Sequence, residues 1–264
     1  MKLDVTDYYS IITIMICADP SYPCKFVCYF LKNQFDQVLV TYHYFIGNIM
    51  DIINLITWAA FTFVIFIIFA TFHEFAHGWV AYRCGDPTAK QNGRLSLNPI
   101  VHIDLFWTII MPIILLISTN GRFAIGSAKP VPVNPSLFRN PRRDIVLVGL
   151  AGPGANTVWA LLLIVLMKLW GNSFSPESPI FRPVYELMFI CMYVNVMLLV
   201  FNMLPIPPLD GSRIIEALLP YHYAQYYQKF SPYMFIVLIA LMWFGLFGGL
   251  FRFILNLIIF VFKL

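Results

Sequence analysis

The chain consists of long apolar segments joined by short polar connections. Four apolar segments, 52–72, 145–169, 185–204 and 233–263, reach the roughly 20 residues that an α-helix needs to cross the hydrocarbon core of a bilayer. A fifth segment, 105–118, has 14 residues and is short for a full crossing. Because a helix satisfies its own backbone hydrogen bonds in lipid, the pattern predicts an all-α polytopic membrane protein with a bundle of about 4–5 transmembrane helices.

The composition agrees with this class of protein. Hydrophobic residues make up 60% of the chain and charged residues 11%, whereas a soluble domain is about 25% charged. The net charge is +4, and most of the Lys and Arg side chains lie in connecting segments, so they indicate orientation in a lipid bilayer. The charge pattern therefore gives no reason to expect nucleic acid as a partner.

Residues 73–77 read His-Glu-Phe-Ala-His and follow the uncharged apolar run that begins at Ile52. On a helix, His73 and His77 share one face, so both imidazoles can reach a single metal ion. Glu74 lies beside that ion, where it can polarise a bound water. The alternative is a pair of helix-surface histidines beside an unrelated glutamate. Ionisable residues at lipid depth are costly and mark functional sites, which favours the metal hypothesis.

The position of His73 predicts the depth of this site. The first charge after the motif is Arg83, ten residues beyond His73, or about 15 Å along a helix. Basic residues cluster after this end of the segment, so the positive-inside rule places the site in the cytoplasmic half of the bilayer. If segment 105–118 crossed the membrane, the loop 119–144 would lie on the outer side and would carry five basic residues there, against the positive-inside rule. A re-entrant or interfacial helical segment is therefore expected at 105–118.

A zinc ion held by two histidines needs a third protein ligand and an open position for water. Asp210 is a candidate, because it lies in the run Asn-Met-Leu-Pro-Ile-Pro-Pro-Leu-Asp-Gly that ends the apolar segment 185–204. Three prolines break the helix there, and broken backbone at membrane depth is tolerated where it lines a cavity. A turn in which Asp210 caps the next helix is the alternative. Asp210 can meet the two histidines only if the segments that carry them end on the same side of the membrane, which requires an even number of crossings between them. Segments 145–169 and 185–204 already supply two crossings, so 105–118 must not cross the membrane. The charge pattern leads to the same conclusion.

Three motifs occur in order along the chain: His-Glu-x-x-His at 73–77, Ala-Gly-Pro-x-x-Asn at 151–156, and Asn-x-x-Pro-x-Pro-Pro-Leu-Asp-Gly at 202–211. Together they resemble the site-2 protease family of intramembrane zinc metalloproteases. Residues 98–104 and 126–135 resemble a short, single-module bacterial and archaeal branch of that family. The resemblance implies one zinc ion per chain with Glu74 as general base, and it implies these ligands: His73, His77 and Asp210.

The resemblance also implies that two side-chain amides, Asn156 and Asn202, bind the extended substrate backbone. A hydrogen bond between neighbouring helices is the alternative for each. The stretch 121–135 alternates Gly, Pro and β-type residues, which predicts a small re-entrant β-loop whose edge can pair with substrate, with a plain loop as the alternative. His102 is a candidate to orient a metal-ligating side chain through a hydrogen bond or to anchor its own loop. The alternative is that His102 binds the metal directly.

The two ends of the chain differ from the protease-like core, which covers 50–220. Residues 1–49 contain only apolar runs too short to span, so the biological start is expected at Met50, with an interfacial N-terminal arm as the alternative. The region 221–264 predicts a spanning helix over 233–251 and an interfacial continuation after it.

These features favour an intramembrane zinc endopeptidase in the prokaryotic inner membrane. The expected substrate is a transmembrane segment of a single-span or signal-peptide-like protein, and a gating partner is left open. Three alternatives also stay open: a metalloprotease that cuts loops near the surface, a membrane metal-binding or transport protein, and an inactive protease-like scaffold. A site of two histidines and an aspartate also accepts other divalent ions.

Overall fold

The computed structural model describes residues 49–118, 126–173, 180–243 and 246–262. Within these ranges the chain is mostly helical and contains no strand. The N-terminal arm lies almost entirely outside the described residues, so the start expected at Met50 stays a prediction.

Seven α-helices of eight or more residues make up most of the described chain. They are α1 (Ile49–Cys84), α2 (Met111–Ser118), α3 (Pro141–Ser173), α4 (Phe181–Asn202), α5 (Asp210–Leu218), α6 (Tyr221–Trp243) and α7 (Leu246–Phe262). Short helical segments lie at Thr88–Gln91, Pro99–His102, Leu105–Ile110 and Pro135–Leu137.

Three helices of the described chain are long and apolar enough to cross a membrane. The apolar parts are Ala60–Cys84 of α1, Pro141–Gly171 of α3 and all of α4, Phe181–Asn202. They correspond to three of the predicted apolar segments, 52–72, 145–169 and 185–204. Their lengths and compositions confirm the prediction of an all-α polytopic membrane protein.

Gly85 ends α1. Its φ angle of 112° lies in the left-handed region that favours glycine. The Gly85 N–H donates to the Tyr82 carbonyl at 3.2 Å and the Asp86 N–H donates to the Ala81 carbonyl at 3.0 Å, which are the two hydrogen bonds of a Schellman cap. The fully buried Asp86 carboxylate then accepts the Asn134 N–H at 2.6 Å. The end of α1 is thereby joined to the segment that precedes α3.

The short apolar segment 105–118 is helical throughout. It consists of a π-helical segment, Leu105–Ile110, followed by α2. Asp104 caps it, because its Oδ1 accepts the N–H groups of Phe106 at 3.0 Å and Trp107 at 2.8 Å. Its length is about 21 Å at 1.5 Å per residue, less than the roughly 30 Å of a hydrocarbon core. That length suits a segment that does not cross, and its path through the bilayer stays a prediction.

The β-loop predicted over 121–135 is not paired as a strand where the structure describes it, from Gly126 onward. Pro130 and Pro132 have no N–H to donate to a neighbouring strand. The N–H groups between and beside them go to partners outside any sheet: Lys129 donates to the His102 carbonyl at 2.7 Å and Val131 to the Glu74 carboxylate at 2.8 Å. Residues 128–134, here called the proline loop, therefore form an irregular segment held by side chains and turns.

The C-terminal region contains two described helices, α6 as far as Trp243 and α7 from Leu246 onward. A spanning helix is expected over 233–251, and residues 244 and 245 of that stretch lie outside the described residues, so this expectation stays a prediction. The first half of α6 is rich in Tyr, Gln and other polar residues, and α6 is not among the three described helices that are long and apolar enough to cross a membrane.

The chain divides into two compact units. The described residues of one are 49–64, 104–118, 126–127, 239–243 and 246–254, and those of the other are 65–103, 128–173, 180–238 and 255–262. In the second unit α3 packs along α4 and against α5. The largest fully buried apolar side chains there are Ile164, Met167, Met192 and Leu255. All the side chains of the candidate site belong to this second unit.

Candidate metal centre

His73 and His77 lie one turn apart on α1, and Asp210 is the first residue of α5. All three are buried, with 5%, 4% and 7% of their surface exposed. The His73 Nε2 atom lies 3.0 Å from His77 Nε2 and 3.1 Å from Asp210 Oδ2, and His77 Nε2 lies 3.0 Å from the same carboxylate oxygen. These three ligand-type atoms form a nearly equilateral triangle, and they are the one group of this kind in the part of the chain that the structure describes.

The triangle fits a tetrahedral metal ion. Zinc bonds to nitrogen and carboxylate oxygen are about 2.0–2.2 Å long, so the edge of a ligand tetrahedron is about 3.3 Å. The two Nε2 atoms are too close for both to be protonated, and the carboxylate oxygen is an acceptor. Electron-rich atoms at such distances repel one another unless a cation lies among them. His73, His77 and Asp210 are therefore suited to hold a zinc ion and to leave a fourth position open.

The outer nitrogen of each imidazole has its own partner. His77 Nδ1 lies 2.7 Å from the Val148 carbonyl oxygen on α3, which can only accept, so Nδ1 carries the proton. His73 Nδ1 lies 2.6 Å from Asn156 Oδ1, also on α3. Protonated Nδ1 atoms leave the Nε2 lone pairs facing the metal position, as zinc ligation requires.

The proline-rich run delivers Asp210 to the histidines. α4 ends at Asn202 and α5 begins at Asp210, so the prolines separate the two helices. A Cβ atom built on Gly211 would lie 2.4 Å from the Met203 carbonyl oxygen, so only glycine fits there. The residue that flanks the start of α5 is Leu209, and no side chain caps this end. The Asp210 carboxylate contacts the imidazoles and does not cap the helix, so the geometry favours the metal hypothesis over the turn.

Glycines on α3 allow its close approach to the site. A Cβ atom built on Gly152 would lie 2.3 Å from His77 Nε2 and 2.5 Å from His73 Cε1. At Gly149 it would lie 3.3 Å from the Asp210 carbonyl oxygen, whereas Gly154 faces open space. The backbone of α3 at Gly152 therefore covers one side of the three ligands.

Glu74 is half-buried and lies outside the ligand triangle. Its Oε2 atom accepts the Val131 N–H of the proline loop at 2.8 Å. A main-chain donor thus holds one carboxylate oxygen in place. Val131 also packs closely on α1, since its Cγ1 would lie 3.1 Å from a Cβ built on Gly78.

The two asparagines predicted to bind substrate both have hydrogen-bond partners within the protein. Asn156 is fully buried, and its amide contacts His73 and donates to Asn195 Oδ1 at 2.9 Å. Asn202 donates through Nδ2 to the Leu198 carbonyl of its own helix at 2.9 Å. Asn156 therefore forms hydrogen bonds between neighbouring helices, which is the alternative that the sequence left open beside substrate binding.

His102 is buried and does not belong to the ligand triangle. Its Nε2 lies 2.8 Å from the Ser96 carbonyl oxygen, and its own carbonyl accepts the Lys129 N–H. These contacts are those of a residue that anchors a loop. Two contributors to the site were not expected from the sequence, namely Asn195 and the main chain of Val131. The role of Asn195 could have been predicted from the sequence, because a polar residue inside an apolar segment indicates a functional or structural site.

Comparison with known proteins gives one family match and several relatives with zinc metalloprotease names. A model of peptidase family M50 matches residues 172–245. The protein named "Putative zinc metalloprotease YwhC" of Bacillus subtilis is 40% identical over 182 residues, which are 66% of this chain and 76% of YwhC. "Putative zinc metalloprotease Rip2" of Mycolicibacterium smegmatis is 32% identical over 144 residues, and its Mycobacterium tuberculosis counterpart is 31% identical over 148. The chain spans about half of either Rip2, 51% in each case. No solved structure matches it.

The fold and the site together define a helical membrane protein with a buried centre of two histidines and one aspartate. The chain belongs to peptidase family M50, which confirms its resemblance to the site-2 proteases.

The close approach at Gly152 predicts the effect of a single methyl group. Gly152→Ala should lower the affinity for Zn²⁺ by about a hundredfold or more, because the added Cβ displaces both imidazoles. Chelator competition on the detergent-solubilised protein measures this affinity. Gly154→Ala is the matched control two residues away, where nothing lies within 4 Å, and it should bind Zn²⁺ as the wild type does. Equal affinity in the two variants would contradict the assigned geometry.

Proposed function

We propose that this chain is an intramembrane zinc endopeptidase that hydrolyses peptide bonds in transmembrane segments. The observation that supports this most strongly is the buried triangle of His73, His77 and Asp210, 3.0–3.1 Å on each edge, with Glu74 next to it in the chain. Membership of peptidase family M50, and relatives named as zinc metalloproteases, support the same chemistry.

Zinc bound by these three ligands would lower the pKa of a water molecule toward about 7 and polarise the scissile carbonyl. Glu74 is the general base: it takes the proton of that water and later passes it to the leaving amine. The Val131 N–H holds Oε2 of Glu74, which leaves Oε1 to exchange the proton. Because the donor belongs to the main chain, it fixes the carboxylate without adding a second titrating group.

The depth of the site supports cleavage within the membrane. Both histidines lie on α1 inside the apolar span Ala60–Cys84, and His73 is ten residues, about 15 Å, from Arg83. Basic residues at this end of α1 support a site in the cytoplasmic half of the membrane, and the named relatives are bacterial, which supports a prokaryotic inner membrane.

A transmembrane substrate must lose helical hydrogen bonds before its backbone can be attacked. Each backbone group left unpaired in lipid costs several kcal/mol, so the enzyme has to supply partners. We expect the substrate to be a single-span or signal-peptide-like protein, because one helix can enter between the helices of the enzyme and unwind there. Asn202 keeps Oδ1 to accept a substrate N–H, since its Nδ2 is the atom that bonds to Leu198. A partner that gates access is compatible with this arrangement.

A metal-transport function is less well supported. A transport path needs ligand groups at successive depths, whereas the described residues contain one such group. It also does not require a glutamate beside the histidines. An inactive scaffold is disfavoured because Glu74 and all three ligand positions are present.

Removal of the general base separates catalysis from metal binding. Glu74→Gln should lower cleavage of a detergent-solubilised single-span substrate by about 10²–10⁴-fold, because the amide cannot take the proton. Its zinc content should equal that of the wild type, since Glu74 is not a ligand. His73→Ala is the comparison variant and should lose both zinc and cleavage. Cleavage by Glu74→Gln at the wild-type rate would rule out Glu74 as the base.

Removal of the main-chain donor tests the role of the proline loop. Val131→Pro deletes the N–H that holds Glu74, and hydrogen bonds to charged groups contribute about 1.5–3 kcal/mol, so kcat should fall about ten- to hundredfold. KM and zinc content should change little, because the N–H group that is removed bonds to Glu74 and contacts neither a metal ligand nor the carbonyl oxygens that a substrate could use.

Val133→Pro is the matched control for this variant, since it adds a proline to the same loop without touching the contact to Glu74. It should retain a kcat close to that of the wild type. If both proline variants lower kcat equally, the loop matters only as a structural element and the Val131 N–H does not position the base.

A further inference from the structure

We infer that Asn195 and Asn156 form a hydrogen-bond relay that fixes the proton of His73 on Nδ1 and so sets the affinity of the metal centre. Asn195 is a positioning residue in this scheme, and Asn156 holds a metal ligand rather than the substrate backbone. The inference rests on the proposed function for the identity of the metal, and it assigns roles that the family motifs do not.

The relay connects three helices through four polar groups. His73 Nδ1 on α1 lies 2.6 Å from Asn156 Oδ1 on α3, and Asn156 Nδ2 lies 2.9 Å from Asn195 Oδ1 on α4. Asn195 Nδ2 then lies 2.8 Å from the main-chain carbonyl oxygen of Cys191, one turn earlier on α4. Both asparagines are fully buried.

The direction of every hydrogen bond follows from the far end of the relay. The Cys191 carbonyl oxygen can only accept, so the group of Asn195 that faces it is the NH₂. The Asn195 oxygen consequently faces Asn156 and accepts from its NH₂, which leaves the Asn156 oxygen toward His73. That oxygen accepts only from a protonated Nδ1. The Nε2 atom of His73 is thereby left as a lone pair directed at the metal position.

Burial makes the alternative arrangement costly. Asn195 lies among the buried apolar residues of α4, with Val194 and Val196 on either side of it in sequence. A buried amide that loses its partner costs about 1–3 kcal/mol, so a reversed Asn156 or Asn195 would leave two polar groups unsatisfied. The relay therefore favours one tautomer of His73 over the other by the energy of more than one hydrogen bond.

The two histidines are oriented by groups of different kinds. His77 donates to a main-chain carbonyl, that of Val148, and no substitution of a side chain removes this partner. His73 depends on two side chains from two further helices. Loss of the relay should therefore affect His73 selectively, and the zinc affinity should respond to a residue on α4 that contacts neither the metal position nor a ligand.

The decisive variant is Asn195→Leu, which keeps the size of the side chain and removes the acceptor. Asn156 is then free to turn its NH₂ toward His73, where it stabilises the tautomer with a proton on Nε2. We expect the Zn²⁺ affinity, measured by chelator competition on the full-length protein in detergent, to fall about 10–100-fold. Asn195→Asp should restore it, since its carboxyl group can accept from Asn156 and, when protonated, donate to Cys191.

A second pair of variants keeps the inference testable if Asn195→Leu is poorly folded. Asn156→Asp presents an acceptor to His73 that cannot be reversed, so its Zn²⁺ affinity should stay near that of the wild type. In that background Asn195→Leu should lose most of its effect on affinity. Thr71→Val is the control for loss of a buried polar group on α1, because Thr71 bonds to Ile67 and lies outside the relay.

The visible absorption of the Co²⁺-substituted protein reports the ligand geometry independently of cleavage. The Asn195→Leu spectrum should change in shape, and the Thr71→Val spectrum should match the wild type. If Asn195→Leu binds Zn²⁺ as tightly as the wild type, or lowers the affinity equally in the Asn156→Asp background, the relay is wrong and the proposed peptidase function is unaffected. If the wild-type protein binds no Zn²⁺, both the relay and the proposed function fail.

Discussion

The close approach of three electron-rich atoms is the constraint on which the rest of the second unit depends. Two imidazole nitrogens and a carboxylate oxygen lie 3.0–3.1 Å apart in a buried position, where charges interact more strongly than in water. A cation among the three atoms would offset their mutual repulsion, so the helices around them are arranged in a way that suits a metal ion. α1 supplies two ligands one turn apart, the broken chain between α4 and α5 supplies the third, and α3 covers them at Gly152, where the missing side chain leaves the necessary space.

The apolar surroundings impose a second constraint, because every polar group at this depth needs a partner within the protein. The site meets it with three kinds of contact. A main-chain carbonyl holds His77, a main-chain N–H holds Glu74, and a pair of side-chain amides holds His73. Main-chain contacts depend on the path of the backbone, so they persist through most substitutions. The side-chain contacts depend on helix packing as well, which makes the environment of His73 the most sensitive part of the site.

The sequence predicts much of this arrangement, and particular residues show where prediction ends. The i, i+4 spacing of His73 and His77 specifies a shared helix face, and the scarcity of carboxylates at membrane depth points to Asp210. The partner of Asn156 does not follow in the same way, since an amide both donates and accepts and the sequence does not give the rotation of α3 that brings Gly152 against the histidines. The β-loop was predicted from alternating small and β-type residues, but Pro130 and Pro132 remove the donors that a strand needs. A sequence pattern thus identifies which groups are present and leaves open which atoms meet.

The proline loop limits how a substrate can pair with the enzyme. Of residues 129–132, two are prolines without an N–H, and the N–H groups of Lys129 and Val131 are already bonded to His102 and Glu74. The Arg94 side chain also donates to the carbonyl oxygens of Lys129 at 2.7 Å and Pro130 at 3.3 Å. The main chain of this stretch could therefore accept hydrogen bonds from a substrate backbone at its remaining carbonyl oxygens, but it has no free N–H group to donate. An unwound substrate bound there would still need donors for its own carbonyl groups. For the carbonyl group of the scissile bond, a metal ion held by the three ligands could be that partner. The loop and the metal centre would then supply the two kinds of partner that an unwound substrate needs, acceptors for its N–H groups and a Lewis acid for its carbonyl.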